Sequence, residues 1–557
     1  MEAVEALLET RLFQQPVHGL GPNERMPVTV AKAQKVAEAY GMSLDDIATL
    51  SSKFWEMHAA PFVCENPATI VLLSIQYNLV LGTILDHVGR TKKDELSGLL
   101  EDLLKYRVSG QFCLTELDHG LDAANLETTA EMLEDGSGFV LNTPHPGAAK
   151  FMPPVVPCGI PCVGLVMARL IEHKKDLGVR PFLVNLSDGK DMLPGIVTRV
   201  LPYRGGSSPV WHSITSFHNL RIPLSALLVT RKVPFQQLIW RAAVGSISLA
   251  ATALPAIAHA AFIAAKYSQR RLVLGRPVIE FPTQHGPILD AFAKHFVFVA
   301  FYRRAAKIFA DDGVERSVRH GIAACFKAVV TRDGQDAMIK LSERCGAQGL
   351  FNYNMISQMH ADLRGNAVAE GDILVLSIRL VTELLLNRYA LDPTFFAGFA
   401  PLDSPLAHHA AGLLATARAA LQGSCKGLHR SEEFSQRILP QCTKIVEAIG
   451  MHYAYASAVS AGLDARITRL YLASALKEDQ SWYVEHMGMK REDMFAEEVE
   501  ATRNALPLLD EWMASCGAEK FVKAPIVDRE RWVAFVGSLE VFDGSRRSRS
   551  EMVSSRL

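Results

Sequence analysis

The carboxylate in Ala369-Glu370-Gly371-Asp372 stands just ahead of a long apolar helical pattern, Ile373 to Leu391. An acidic side chain there complements the dipole of the helix it precedes. Arg271, in Tyr267-Ser268-Gln269-Arg270-Arg271, carries a rigid guanidinium fork able to hold two phosphate oxygens at once, although an isolated arginine is ordinarily a surface charge. Thr115 followed by Glu116 has the form of a helix cap with an acidic first-turn residue. Other chemistry is sparse. Cys158 and Cys162 bracket Pro161 without CxxC spacing or a second pair, so they read as small apolar residues, and no metal site is expected. Ala458-Val459-Ser460-Ala461-Gly462 only approximates a nucleophile elbow and lies in a helical context. Neither GxGxxG after a strand nor GxxxxGK followed by Ser or Thr occurs.

These residues need elements to position them. From Met1 to about Ser109 apolar residues recur at helical spacing, as in Thr69 to Val88 and Glu95 to Val108. From about Gln111 to Leu228 short apolar runs are split by Gly, Pro and Asn, predicting strands at Phe139 to Leu141, Pro161 to Ala168, Pro181 to Leu186 and Ile196 to Leu201. Pro223 marks the exit from this region. Helical patterns return after Pro234 and run to about Tyr389; Gly398 to Pro405 reads as a linker, and Leu406 to about Phe542 as a last helical region. The expected architecture is mostly α with a central β domain. It comprises an N-terminal helical domain (1–110), a small β-barrel-like middle domain (111–230), a helical bundle (231–400), an additional C-terminal helical domain (401–542) and a flexible tail (543–557). Regular alternation of strand and helix is missing, which disfavours a doubly wound sheet.

A chain of 557 residues predicts three or four packed units. With 58 basic and 59 acidic side chains the net charge is -1, so no overall field attracts a polyanion and nucleic acid is not an expected partner. Nine scattered cysteines suit a reducing compartment. Glu2, Glu5 and Glu9 interrupt the N-terminus, where no secretory signal is visible. Ala242 to Ala265 lacks Asp, Glu, Lys and Arg and is long enough to cross a bilayer, but it is mostly Ala, Ser, Gly and Thr, with Pro255 and His259 inside. It reads as a buried helix, and no membrane span is expected. The final Ser555-Arg556-Leu557 is a close variant of the S-K-L peroxisomal address, which predicts the peroxisome and its import receptor as a partner.

Four stretches resemble the acyl-CoA oxidase and acyl-CoA dehydrogenase family, closest to the peroxisomal acyl-CoA oxidases. Thr115-Glu116-Leu117-Asp118-His119-Gly120, with Leu126 to Ala130 and Phe139 to Pro144, is similar to the family's T-E-x-G-H-G junction and the strand that follows. Phe217 to Pro223 resembles the return from the β domain to the bundle. Tyr267 to Arg271, Leu274 to Pro277, Phe281 and Gln284 resemble the signature after an Ala-rich helix, where the arginine reaches the FAD pyrophosphate of the neighbouring subunit. Arg344 to Gly349 and Ala369 to Asp372 resemble the family's C-G-G-x-G-Y loop and E-G motif, whose glutamate is the catalytic base. The resemblance thus implies FAD as cofactor, Glu370 as base, and Thr115, Gly120, Arg271, Gln284, Gly346, Gln348, Gly349 and Asp372 as cofactor-binding residues. The chain departs from the pattern at Asp118, Pro154, Ala347 and Leu350, which bear on the flavin environment and the acyl pocket.

The implied reaction is α,β-desaturation of an acyl-CoA to a trans-2-enoyl-CoA, as in fatty acid β-oxidation, with electrons passed to O2 to give H2O2 and FAD shared across a homodimer. The thioester enolate demands a positioned base, whose pKa the bound acyl chain raises while the helix N-terminus opposes that shift. A dehydrogenase-type desaturase of a specialised pathway is the alternative enzyme; a non-catalytic acyl-CoA-binding scaffold is the alternative of another class.

Overall fold

The computed structural model describes residues 2–14, 20, 22–202, 204–206, 210–389, 391–392 and 402–542. Residues 398–401 of the predicted linker, and the tail with Ser555-Arg556-Leu557, lie outside the described residues. Helices run from Glu2 to Leu104, strands follow between Ser109 and Pro223, and helices resume at Phe235 and continue to Ser538. This is the expected mostly helical architecture around a central β region.

The strands are β1 Ser109–Cys113, β2 Thr129–Met132, β3 Gly138–Asn142, β4 Lys150–Phe151, β5 Cys162–Glu172, β6 Lys175–Ser187, β7 Ile196–Val200, β8 Ser213–Phe217 and β9 Leu220–Pro223. Strand β5 organises the larger sheet: one edge pairs with β6 along its length, and the other carries β1 and then β2, both parallel to it. Its pairing with β6 shifts register between Arg169 and Ile171. Strands β4, β8 and β7 form a smaller second sheet. The predicted strands at Pro161 and Pro181 extend further than expected, because Arg169 and Lys175 carry the hairpin beyond its apolar core into solvent.

Two helical readings are refined. The Glu95 to Val108 pattern breaks at Leu96, and the Ser97–Leu104 helix stops before Tyr106, a left-handed residue that turns the chain into β1. Within Thr69 to Val88, the segment Ile75–Gly82 is a π-helix and is buried from Gln76 to Gly82. Gln76 anchors this wider turn: its Nε2 donates to Leu103 O at 2.6 Å and Val108 O at 2.8 Å, and its Oε1 accepts from Gly110 N.

The Ala-rich segment forms helices Trp240–Ala251 and Ala253–Arg270 in the middle of the bundle. Its small side chains allow close helix approach: a Cβ on Gly334 would lie 3.2 Å from Ala253 Cβ. Two helical stretches, Pro67–His87 and Trp240–Arg270, are long and apolar enough to cross a membrane, and 83% and 100% of their apolar windows are buried inside the protein. All nine cysteines are buried and unpaired, Cys158 and Cys162 among them.

Candidate active site

Glu370 sits between the Ile356–Val368 and Ile373–Leu385 helices, in a turn with φ +52° at Glu370 and +101° at Gly371. A left-handed glutamate is strained, and such strain persists where surrounding contacts impose it. Here three do. Lys327, buried on the Arg316–Arg344 helix, donates its Nζ to Ala369 O at 2.5 Å and to Gly371 O, the carbonyls either side of Glu370. Ser246 Oγ donates to Glu370 O at 3.0 Å. Asn78 Nδ2, from the π-helix, donates to Glu370 Oε2 at 2.9 Å.

The carboxylate enters the bundle because residue 245 is glycine: a Cβ there would lie 1.4 Å from Glu370 Oε2. Burial pushes the Glu370 pKa up to about 8, against the opposing pull of the Lys327 cation and the Asn78 hydrogen bond. Burial likewise lowers Lys327 to about 8, opposed by the charges of Glu370 and Asp372. A carboxyl tuned near neutrality can take a proton at working pH.

Glu370 is therefore not a first-turn residue. Asp372 is the N-cap of the following helix, its Oδ1 accepting from Leu374 N at 2.9 Å and Val375 N at 3.3 Å. Thr115, the residue expected to touch the flavin, follows β1 in a loop and caps no helix. Glu116 beside it is structural: it accepts from Glu127 N, Thr128 N and the buried Lys150 Nζ at 2.6, 2.9 and 2.9 Å. Lys150 also donates to Met167 O at 2.7 Å, which pins the 114–128 loop to β5.

A second group gathers at the far end of the bundle. Arg271 ends the Ala253–Arg270 helix, exposed and without an ion-pair partner among the described residues. Ser268 Oγ lies 3.5 Å from Gln284 Oε1, and Arg344 donates to Thr283 O at 3.1 Å, bringing the 346–349 loop beside Gln284. Gln348 Oε1 accepts from Tyr353 and Asn354 at 3.0 and 3.1 Å, so its side chain braces its own loop. Gly349 is buried, and a Cβ there would lie 2.0 Å from Ser342 O. Gly346, with φ +57°, and Gly120 instead have open space where a Cβ would stand. An unpaired guanidinium beside open glycine backbone fits an extended diphosphate cofactor such as FAD.

The two groups do not meet in one chain. Lys327, under the base, and Arg344, at the loop, lie in one helix about 25 Å apart at 1.5 Å per residue. Of the departures from the family pattern, Pro154 is buried, whereas Leu350 is 74% exposed beside Phe351. Sequence reasoning missed Asn78, Gly245, Ser246 and Lys327. Lys327 carried a signal: it is the one charged residue in the apolar helical run Ile322 to Val330, and buried polar groups have partners.

Residues 244–385 match the acyl-CoA oxidase C-alpha1 domain. Acyl-coenzyme A oxidase 2, peroxisomal, of Arabidopsis thaliana is 26% identical over 359 residues, 57% of this chain and 50% of the relative. Peroxisomal acyl-coenzyme A oxidase 3 of Homo sapiens is 25% identical over 312 residues, 49% of this chain and 44% of the relative. The chain spans about half the length of the curated relatives it matches. In structure, acyl-CoA oxidase 1 of Yarrowia lipolytica superposes with a TM-score of 0.82 at 18% identity, covering 100% of this chain and 92% of that one. Acyl-CoA oxidase-1 of Caenorhabditis elegans, complexed with FAD and ATP, does so with 0.79 at 15%, covering 100% and 93%.

Proposed function

We propose that this chain, a member of the acyl-CoA oxidase and dehydrogenase family, removes hydrogen across the α and β carbons of an acyl-CoA with Glu370 as the base. The observation that carries this reading is the Glu370 carboxyl itself, turned inward through a left-handed backbone and raised to about 8. Ionised Glu370 takes the α proton of the thioester; the α carbon-hydrogen electron pair becomes the new double bond as hydride departs from the β carbon, leaving a trans-2-enoyl thioester. FAD, when bound, supplies the acceptor for that hydride, and dioxygen is the final acceptor, giving hydrogen peroxide. Lys327 and Ser246 hold the backbone of the base while Asn78 orients its carboxylate.

Arg271, Gly346 and the loop around Gln348 and Gly349 would hold the cofactor of a second copy, with Thr115 and Gly120 on the side of the first. The 25 Å gap between the two groups and the exposed Leu272 to Leu274 and Leu350 support a homodimer. The peroxisome is the proposed compartment, from the names of the relatives.

The test is the visible spectrum of the purified protein, followed by mixing with straight-chain acyl-CoAs in air. Flavin bleaching with peroxide release, both lost in Glu370→Gln, is the expected result. Bleaching without peroxide would replace the oxidase reading with a dehydrogenase, and absence of flavin after reconstitution would end the catalytic reading.

A further inference from the structure

Asn78 is fully buried in the π-helix, and its amide nitrogen has two partners, Arg241 O and Glu370 Oε2, each at 2.9 Å. Because the Arg241 carbonyl can only accept, the orientation of the amide is fixed by its surroundings. Its Oδ1 then faces the remaining direction and has no hydrogen-bond partner. A buried amide oxygen left in this state loses its water without return, as Gln111 Oε1 and Asn354 Oδ1 also do; Asn78 is the one of these three whose nitrogen holds the Glu370 carboxylate.

Further buried hydroxyls without partners lie on these helices, at Thr69, Ser74 and Thr83 of the Asn78 stretch and at Ser248 of the helix that it crosses. Ser74 Oγ, about one turn before Asn78, and Ser248 Oγ, one turn after Gly245, are buried and unpartnered. The crossing helices run in opposite senses there, since Asn78 meets Arg241 at one end while Val71 and Leu249 line one small apolar cavity at the other. The crossing that begins at the Glu370 carboxylate thus carries one acceptor and two hydroxyls before it becomes apolar. Among its Ile, Leu and Val, helix Pro67–His87 also buries Thr69, Gln76 and Thr83.

We propose that Asn78 Oδ1 is a specificity contact, and that the preferred acyl group carries a hydroxyl beyond its β carbon. This rests on the acyl-CoA desaturation reading above. For Glu370 to take an α proton, the substrate must touch a carboxylate whose Oε2 is 2.9 Å from the Asn78 amide nitrogen. The chain continuing past the β carbon then passes the other atom of the same amide. A plain alkyl chain excludes water and leaves Oδ1 unpaired; a hydroxyl donates to it. A site built around such a donor strongly disfavours the analogue lacking it.

The test uses the flavin-loaded enzyme and thioether analogues of CoA, which have no acidic α proton: hexyl-, 4-hydroxyhexyl- and 5-hydroxyhexyl-CoA, titrated by calorimetry. At least one hydroxylated analogue is expected to bind about tenfold or more tighter than hexyl-CoA, with the preference lost in Asn78→Leu. Asn78→Ala serves the same purpose if the leucine variant does not retain flavin. A wild-type preference absent or reversed, or one that the variants leave intact, overturns the proposal. Flavin bleaching by hexanoyl-CoA, recorded in parallel, separates the two ideas: bleaching without the preference overturns selectivity alone, whereas failure of every CoA compound to bind or bleach overturns both.

Discussion

Gly245 and Glu370 are fitted to one another, the glycine leaving the space that the Glu370 carboxylate occupies, with a Cβ at 245 only 1.4 Å from Oε2. Gly245→Ala improves helix propensity by up to about 1 kcal/mol yet expels the carboxylate from its seat. The expected outcome is a folded, flavin-binding protein whose kcat/KM falls about a hundredfold or more, read by flavin bleaching beside circular dichroism.

Glu370→Gln should lose activity by about 10² to 10⁴-fold and gain stability at alkaline pH. The carboxyl has its ordinary value of 4.5 in the unfolded chain and about 8 in the fold. Between these values the unfolded chain gives up the proton first, so native stability falls as pH rises through that window. Glutamine has no such proton. The urea midpoint of the variant should exceed that of the wild type at pH 8, with the difference shrinking towards pH 4.5.

Substrate capture should follow the base. For the wild type, kcat/KM is expected to rise with pH along a limb near 8, as the free enzyme ionises Glu370. Lys327→Met removes the cation that lowers this value and should move the limb to higher pH. A limb that stays in place or moves down in a folded variant would contradict the assigned influence of Lys327.

Arg271→Ala should act on the cofactor and leave the base alone. Losing a charged hydrogen-bond donor weakens FAD retention by about ten- to a hundredfold, read by fluorescence of released flavin. The pH limb of the flavin-saturated variant should not move, because burial, Lys327 and Asn78 set the Glu370 value and Arg271 is not among its causes.

Much of the scaffold was legible because it rests on local periodicity. Alternating apolar runs split by Gly and Pro marked the strands, and the uncharged Ala-rich stretch marked a buried helix. A cap was the plain alternative at Thr115, but Thr-Glu also suits a loop in which the glutamate binds backbone N–H groups and Lys150. The strand hairpin at Arg169 and Lys175 outran its apolar core because backbone pairing continues without one.

The sequence by itself determined the order of helix, strand and helix, and singled out Glu370 and Arg271 through motifs contained in short segments. Only the tertiary structure decided what Glu370 touches. Asn78 is 292 residues from it in the chain, Gly245 is on another helix and Lys327 on a third. No short-range pattern encodes such a meeting; it arises when small residues let helices approach and a π-turn re-aims one amide. The separation of the base from the arginine end of the bundle was likewise hidden in the sequence, because it depends on how the 346–349 loop folds back beside Gln284 at the end of a long helix.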